Sequence, residues 1–324
     1  MSDILKRAQD NYKADKDNWS EIYEKARADQ HFLSDDQFAQ WDSKDYNSRI
    51  TSGRPCLTID QTGQFVHQVA NNIRMNTPTI NVIPAGSDAD IKTAEVLKGL
   101  IKNIEYISNA DQAYDYASLS AIRCSIGFIR VDHRYKSGEE KKQELVIKRI
   151  VNPLNCYLDC ASVELDGSDA KHATIIESIT VEEFKKRFND AEPSSFGEEK
   201  REYKAGEYVN IAEYFEIGED KKVNHYILSG AAILQETIFP GNYIPLVPVY
   251  GEEAWIEGKR QLYSLIRRSK DAQRMFNYWK SLETELLMKQ PQAPIMAVAG
   301  QVENYAEAWK DPSKAAVLLY DQYD

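Results

Sequence analysis

Apolar positions in the first third of the chain recur mainly at helical spacing. Residues 3–31 are polar and only loosely periodic, which predicts one or two amphipathic helices with much of their surface in solvent. A loop is predicted from about residue 35 to 55. A helix is then predicted over residues 59–76, with one apolar face made of Phe65, Val66, Val69 and Ile73. Pro78 ends this helix, because the residue before a proline favours extended conformations.

The next segment predicts a strand and two more helices. "TINVIP" (79–84) is short and apolar, which predicts a strand. Residues 88–107 predict a helix whose apolar face is Ile91, Ala94, Leu97, Ile101 and Ile104. "SNADQAYDYASLSAIRC" predicts a further helix that opens at a Ser or Asn cap.

Alternating runs separated by turn residues then predict hairpins. "GFIRVDHRY" and "ELVIKRIV" flank a Ser137-Gly138 turn, and "NCYLD" follows. A short helix is predicted at "TVEEFKKRF" with Thr180 as its cap, and a charged loop at 190–206. Three more strands are predicted at about 207–216, 222–228 and 231–236, followed by a proline-rich connector, "FPGNYIPLVPVYG".

The chain changes character after this connector. Residues 258–289 contain no proline and, after Gly258, no glycine, which predicts one helix of roughly 45 Å. Its apolar stripe is Leu262, Leu265, Ile266, Ala272, Phe276, Trp279, Leu282 and Leu286. "IMAVAG" beyond it is strand-like. Together these elements predict an α+β fold with mainly antiparallel sheet and one long helix.

Composition narrows the classes of function. The 324 residues include 51 acids and 40 bases, for a net charge of −11. A free-standing duplex-binding domain is normally basic, since phosphate contacts supply most of its affinity, so the charge argues against a simple DNA binder. Four cysteines and no apolar signal segment at the N-terminus predict synthesis in a reducing, intracellular compartment. No apolar run approaches ~18 residues, so no membrane span is predicted.

Motifs of catalysis and cofactor binding are not found. The sequence contains no GxxxxGK[ST], GxGxxG, GxSxG or HExxH, so neither a phosphate-binding loop nor a hydrolase site is predicted. Cys156, Cys160 and His172 could be three zinc ligands, but the fourth ligand and the usual cysteine spacing are missing. We therefore predict ordinary thiols, no metal and no cofactor.

A second candidate for chemistry is the strand that carries Asp132, His133 and Arg134. Strand alternation places Asp132 and Arg134 on one face and His133 on the other. This pattern favours a solvated cross-strand ion pair over acid–base catalysis. An enzyme with an unrecognised site among Asp132, His133 and Asp159 stays an alternative.

Positive charge concentrates on the long helix. Residues 258–289 hold eight bases and three acids; seven of the bases are Lys259, Arg260, Arg267, Arg268, Lys270, Arg274 and Lys280, and Lys289 is the last. A basic rod in an acidic protein predicts a contact with the phosphate backbone or with an acidic neighbouring subunit; a solvated helix face is equally consistent. Its aromatic residues, among them Tyr278 and Trp279, fit packing better than base stacking.

A series of ordered motifs resembles one family. The motifs are "GRPCLTID", "QFVHQVANNIRMNTPTINVIP", "AEVLKGLIKNIEYISNADQAYDYA", "GFIRV", "IVNPLNCYLD" and "LIRRSKDAQRMFNYWKSLETELLMKQPQAPIMAVAGQVE", preceded by Gln40-Trp41. From about Asp35 onward the sequence resembles the portal proteins of tailed double-stranded DNA phages, specifically the branch of short-tailed enterobacterial phages and related prophages. The last motif is the most specific.

The sequence departs from this family pattern at three places and in length. Asp60 stands where the family usually has Asn, Ser125-Ile126 where it has a glycine pair before Gly127, and Cys160 where it has proline. Portals of this kind continue with a returning stem helix, a channel loop and a crown. The chain therefore resembles an N-terminal portion.

The resemblance implies a domain organisation and a function. Residues 1–257 would be the wing, 258–289 the first stem helix and 290–324 the start of the clip. Such portals are dodecameric rings at one capsid vertex, without catalysis, and they provide the path for DNA packaging and ejection. The implied partners are copies of the chain, double-stranded DNA, the terminase, the tail adaptor or head completion protein, and capsid or scaffolding protein. The implied location is the virion, after synthesis in the bacterial host cytoplasm.

The resemblance also implies roles for particular residues. The seven bases from Lys259 to Lys280 named above would contact DNA or a neighbouring subunit along the stem. An amide-rich helix without a titratable pair suits a subunit interface or wing packing, because amides bond across an interface without the desolvation cost of charges. We expect this role for Gln64, Gln68, Asn72, Tyr278 and Trp279. The remaining alternative is a nucleic-acid-binding module that acts through the basic helix.

Overall fold

The chain folds into a mixed α+β structure. The computed structural model describes residues 3–34, 39–76, 79–85, 90–135, 142–188, 191–197, 206–288, 300–310 and 318–321. The α-helices are α1 (Asp3–Leu33), α2 (Ser43–Thr51), α3 (Thr62–Met75), α4 (Ile91–Ser108), α5 (Ala110–Cys124), α6 (Val181–Arg187), α7 (Leu265–Met288) and α8 (Ala306–Lys310). The strands are β1 (Ile126–Tyr135), β2 (Gln143–Arg149), β3 (Cys156–Leu158), β4 (His172–Thr180), β5 (Tyr208–Ile217), β6 (Val223–Leu228), β7 (Ile233–Phe239), β8 (Leu246–Tyr250), β9 (Glu252–Ile256) and β10 (Lys259–Tyr263).

The strands form three antiparallel sheets. Their orders are β3-β4-β5-β6-β7, β2-β1-β8 and β10-β9. The predicted β1–β2 hairpin and the three strands predicted at about 207–216, 222–228 and 231–236 are confirmed. So is α6 with Thr180 as its cap, whose hydroxyl accepts from the Glu183 amide. The α+β class predicted from the pattern is therefore confirmed.

Helix α1 is a central element of the fold. The sequence predicted an amphipathic helix with much solvent exposure; about half of its residues are exposed, and its other face is buried. Trp19 and Tyr23 are 2% and 1% exposed, and each donates a hydrogen bond to a backbone carbonyl, of Leu158 and Cys156 respectively. The buried face was not evident from the sequence, because two of its positions are aspartates, Asp15 and Asp29, whose carboxylates contact His172 and Arg267 of other elements.

Several predicted boundaries were wrong. The predicted loop at 35–55 contains α2, whose N-cap Asp42 accepts from the backbone amides of Lys44 and Asp45. Residues 79–85 form no strand, and Ile80 and Ile83 are exposed. Strand β4 was missed, and the predicted connector contains β8, where Pro248 stands opposite Phe128. Proline is tolerated there because β8 is an edge strand. Residues 295–299 of "IMAVAG" lie outside the described residues.

The long helix begins at Leu265 rather than at Gly258. Residues 252–263 are instead a hairpin, in which Lys259 pairs with Ile256 and Arg260 with Trp255. Its turn is formed by Glu257 (φ 51°) and Gly258 (φ 74°), two left-handed residues of the kind that favours tight hairpins. Lys259 and Arg260 therefore lie on β10 and not on the helix.

Helices α3 and α4 present much of their predicted apolar faces to solvent. On α3, Val66 and Ala70 are buried, whereas Phe65, Val69 and Ile73 are 60%, 36% and 40% exposed. On α4 only Ala94 is buried. Within the described residues, no helix combines the length and apolarity that crossing a bilayer requires.

Candidate functional surface

Helix α7 is buried through polar side chains. Its buried positions are Ile266, Gln273, Asn277, Ser281 and Glu285. Except for Ile266, the apolar stripe predicted on this helix is not its buried side: Trp279, Leu282 and Leu286 are 65%, 37% and 61% exposed. Helix α7 thus buries its polar side and exposes its apolar side, the reverse of what is expected for a helix that packs on a protein core.

The polar stripe holds the extended segment 55–61 of the same chain. The Leu57 amide donates to Ser281 Oγ (2.8 Å), the Ile59 amide to Asn277 Oδ1 (3.1 Å) and the Gln61 amide to Gln273 Oε1 (3.1 Å). Gln273 Nε2 returns a hydrogen bond to the Ile59 carbonyl (2.7 Å). Four helical residues rise ~6 Å and two extended residues ~6.6 Å, so the two spacings nearly match. We call this set of contacts the polar ladder.

Beyond the last backbone amide of the polar ladder, the contact with α7 is made by an ion pair. Pro55 has no N–H to offer, and at this level Glu285 Oε2 accepts instead from Arg49 Nη2 (3.0 Å). Arg49 also donates to the Pro55 carbonyl (3.1 and 3.2 Å). The side chains of Arg49 and Glu285 are only 4% and 8% exposed, so α2, the extended segment and α7 meet at one buried charge pair.

A second charge cluster joins α7 to α1. The fully buried Asp29 carboxylate accepts from Arg267 Nη2 (2.8 Å) and from Ser264 Oγ (2.7 Å), and it lies 2.6 Å from Lys270 Nζ. Ser264 Oγ in turn accepts from the Arg267 amide at the start of the helix (3.1 Å). Two of the predicted DNA or subunit contacts, Arg267 and Lys270, are therefore engaged within the chain.

The other predicted basic residues differ in exposure. Arg260 is 8% exposed, pairs with Glu253 (2.8 Å) and lies over the rings of Tyr250 and Trp255. Arg268, Arg274 and Lys280 are 65%, 41% and 45% exposed, and their partners are Glu252, Asp271 and Glu283. Lys259 is exposed on β10. Lys289 lies outside the described residues.

The residues predicted at a subunit interface lie on the surface. Gln64, Gln68 and Asn72 are exposed on α3. Tyr278 and Trp279 are 37% and 65% exposed on α7, and the Arg49 guanidinium lies 5.3 Å from the Tyr278 ring centroid.

Two of the three candidate zinc ligands, Cys160 and His172, each lie near the same two carboxylates, those of Asp15 and Asp159. His172 Nε2 lies 2.9 Å from Asp15 Oδ2, and its Nδ1 lies 3.8 Å from Asp159 Oδ2. Ligand atoms of Asp15, Asp159 and Cys160 lie within 4.8 Å of one another, whereas Cys156 is buried in β3.

Backbone amides of the same chain donate hydrogen bonds to both carboxylates of this cluster. The Asp15 carboxylate accepts from the Cys160 amide, and the Asp159 carboxylate accepts from the amides of Ala161 and Lys171. Burial and the Asp15 charge raise the pKa of the Cys160 thiol to about 11, so it is protonated at neutral pH. The arrangement is that of a buried His–Asp contact that fastens α1 to the five-stranded sheet.

Asp132 and His133 belong to an ion-pair network between the sheets. Asp132 Oδ2 contacts Lys148 Nζ (2.8 Å) and Arg130 Nη2 (3.3 Å), and Arg130 also binds Glu213 of β5. Burial alone would raise the pKa of Asp132, but the Lys148 hydrogen bond and the Arg130 charge lower it below its usual value. Arg134 pairs with Glu144, its neighbour across the hairpin, as a cross-strand pair should. Asp159, the third member of the enzyme alternative, is 4% exposed.

The fold and this surface define a mixed α+β protein whose long helix is clamped by polar contacts and leaves an apolar stripe exposed. The family model described as "Phage P22-like portal protein" matches residues 9–221 and 218–323. The chain belongs to this family of phage portal proteins.

A curated relative agrees with the family match. The chain is 19% identical over 314 residues to a protein described as "Portal protein" of Acyrthosiphon pisum secondary endosymbiont phage 1. The match covers 80% of this chain and 44% of the relative. The chain thus spans less than half the length of this relative.

The two motifs that form the two sides of the polar ladder stand out in the sequence, but the contact between them does not. "GRPCLTID" supplies the extended segment, and the motif that begins at Leu265 supplies the polar stripe. The available signal was the strict four-residue spacing of Gln273, Asn277, Ser281 and Glu285.

Proposed function

We propose that this chain is part of a portal protein of a short-tailed, enterobacterial-type phage or prophage, which assembles as a dodecameric ring at one capsid vertex and provides the path for DNA packaging and ejection. The observation that carries the proposal is the family match over nearly the whole chain. The long helix, which presents an exposed apolar stripe, is consistent with assembly.

The proposed role is structural and not enzymatic. In this proposal the terminase supplies ATP hydrolysis, and the ring binds the terminase, the tail adaptor, and capsid or scaffolding protein. No cofactor is required. The protein is made in the host cytoplasm and resides at the portal vertex of the virion.

We propose the wing–stem–clip organisation with one changed boundary. The wing comprises residues 1–264, since the β9–β10 hairpin joins the body, and the stem helix is α7. The clip begins after α7. Among the predicted stem contacts, Arg268, Arg274 and Lys280 remain the ones available to DNA or a neighbouring subunit, because they are the more exposed.

The experiment that tests this function is the mass of the full-length protein in solution, with negative-stain images of the same fraction. We expect closed rings with a central hole. A monomer at high concentration, in a correctly folded preparation, would contradict the proposal.

A further inference from the structure

Four side chains of metal-ligating type meet between helix α1 and the five-stranded sheet. Ligand atoms of Asp15, Asp159 and Cys160 lie within 4.8 Å of one another. The His172 imidazole joins them, since its Nε2 lies 2.9 Å from Asp15 Oδ2 and its Nδ1 lies 3.8 Å from Asp159 Oδ2. We call these four residues the α1–sheet cluster. The sequence offered only Cys160 and His172 of the four ligands that structural zinc usually takes, and the structure adds the two carboxylates.

The α1–sheet cluster is anionic and largely buried. The side chains of Asp15, Asp159 and His172 are 1%, 6% and 16% exposed. Among the described residues, His172 is the only ion-pair partner of either carboxylate. Two buried carboxylates that share one imidazole hold an excess of negative charge. This arrangement attracts a cation, because a buried charge is costly unless it is paired.

Hydrogen bonds orient the cluster in the way that the outer partners of a metal site do. Asp15 Oδ1 accepts from the Cys160 amide (3.1 Å), and Asp159 Oδ2 accepts from the Lys171 amide (3.1 Å). Asn18 Nδ2 donates to Cys160 Sγ (3.5 Å), so the sulfur already serves as an acceptor. Ligating carboxylates are commonly held by such bonds, which fix their orientation before the ion arrives.

The spacing and the access of the cluster suit zinc. Neighbouring ligand atoms of a tetrahedral zinc site stand about 3.3–3.6 Å apart, given metal–ligand bonds of about 2.0–2.3 Å. Distances between 2.9 and 4.8 Å in the cluster reach this spacing with side-chain shifts of about 1 Å. Cys160 is exposed and lines a cavity of about 300 Å³ between α1 and the β9–β10 hairpin, which gives an ion a path from solvent.

We propose that the α1–sheet cluster binds one Zn²⁺, with Cys160 Sγ, the His172 imidazole and one oxygen each of Asp15 and Asp159 as ligands. A thiolate with an imidazole and two carboxylates favours zinc over Mg²⁺ or Ca²⁺, which prefer oxygen ligands alone. Binding releases the thiol proton to solvent. The ion ties α1 to the ends of β3 and β4, and its role is structural, because four protein ligands leave no open position.

The first test uses Co²⁺ as a spectroscopic probe in the full-length protein after treatment with a chelator. Co²⁺ should produce a thiolate-to-cobalt charge-transfer band, and one equivalent of Zn²⁺ should abolish it. Cys160→Ser should remove the band and weaken zinc binding by about 100-fold or more, since loss of an outer partner alone costs about 10- to 100-fold. Cys56→Ser, at a cysteine of intermediate exposure on segment 55–61, is the matched control and should change neither.

The second test measures what the ion does to the fold. Because the cluster is assembled only in the folded protein, one equivalent of Zn²⁺ should raise the unfolding temperature of the wild type and of Cys56→Ser. It should leave the unfolding temperature of Cys160→Ser unchanged. His172→Gln keeps the thiol and should weaken zinc binding by at least about 10-fold, measured by calorimetric titration.

The outcomes divide as follows between support and contradiction. A wild type without the charge-transfer band, or a band that Cys160→Ser keeps, overturns the inference. Zn²⁺ that binds the wild type and Cys160→Ser equally is an adventitious ion only, which also overturns it. Equal binding by His172→Gln overturns the four-ligand site. The portal proposal stands in each of these cases, because its basis is the family match.

Discussion

Ser125 adopts a backbone conformation that normally favours glycine. Its φ is +68°, it is fully buried, and it joins α5 to β1, where its carbonyl accepts from the Gly251 amide (2.9 Å). A side chain in this region costs about 1 kcal/mol relative to glycine. We expect Ser125→Gly to raise the free energy of unfolding by about 0.5–1 kcal/mol, measured by urea denaturation. A loss of stability would mean that the Ser125 hydroxyl contributes more than the backbone strain costs.

At Gly127, two residues further on, we expect the opposite effect, since glycine is required there. A Cβ at Gly127 would lie 2.1 Å from the Ala117 carbonyl oxygen, where α5 crosses β1. Gly127→Ala in the same denaturation series should lose at least about 2 kcal/mol, because backbone atoms must move apart.

His172 should make stability depend on pH. Burial alone lowers the pKa of His172, but the Asp15 hydrogen bond and the charges of Asp15, Asp159 and Glu216 outweigh it, so the folded-state pKa is raised. A raised pKa means that the stabilisation is present below the unfolded-state value and is lost as pH rises through the folded-state value. We expect wild-type stability relative to His172→Gln to fall as the pH rises above the ordinary histidine value of about 6.5. An unchanged difference across this range would show that His172 is neutral in the folded protein.

At the scale of elements, the polar ladder makes α7 and segment 55–61 one unit. Asn277 is fully buried, accepts from the Ile59 amide and donates to Gln40. Asn277→Ala should cost about 2–3 kcal/mol, because the Ile59 amide and the Gln40 oxygen lose a partner away from water. Ser281→Ala should cost about 1 kcal/mol. Asp271→Ala, 98% exposed on the same helix, is the control and should stay within about 0.5 kcal/mol. Equal effects at all three positions would contradict the ladder.

The Asp29 charge cluster that joins α1 to α7 should stabilise the fold more than an exposed ion pair does. Asp29→Asn leaves Arg267 and Lys270 without a buried counter-charge, and we expect a loss of about 3 kcal/mol. Glu252→Gln breaks only the exposed pair with Arg268 and should cost less than about 1 kcal/mol. Thermal unfolding of both variants checks this, and similar losses would mean that the Asp29 cluster is open to solvent.

At the scale of the whole molecule, the charge distribution predicts weak binding to DNA. The net charge is −11, and the most buried bases of α7 neutralise Asp29. We expect the unassembled chain to bind duplex DNA with a dissociation constant above about 10 µM at physiological salt. Anisotropy titrations over a salt series measure this.

Tight binding that falls steeply with salt would revive the nucleic-acid-binding alternative. The variant that distinguishes the two cases is Arg268→Glu combined with Lys280→Glu. Both side chains are exposed, so their reversal leaves Asp29 paired. Loss of the tight binding in this variant would assign it to α7.

Local sequence patterns predicted the elements that are specified by neighbouring residues, such as caps, hairpins and helices. The α6 cap at Thr180, the β1–β2 hairpin and the helical character of 265–288 follow from nearest neighbours along the chain. The β9–β10 hairpin was missed because an uninterrupted run without proline reads as a helix unless the Glu257-Gly258 turn is given weight.

The sequence by itself determined the α+β class, most of the elements and the portal family, because caps, alternation and ordered motifs are written in neighbouring residues. Only the tertiary structure decided which side of α7 is buried and where its charges go. An apolar stripe is the usual signal for burial, but hydrogen bonds to the amides of segment 55–61 and the buried Asp29 carboxylate outweigh it here. These partners stand more than 200 residues away along the chain, and the four-residue spacing of polar positions on α7 does not by itself identify them.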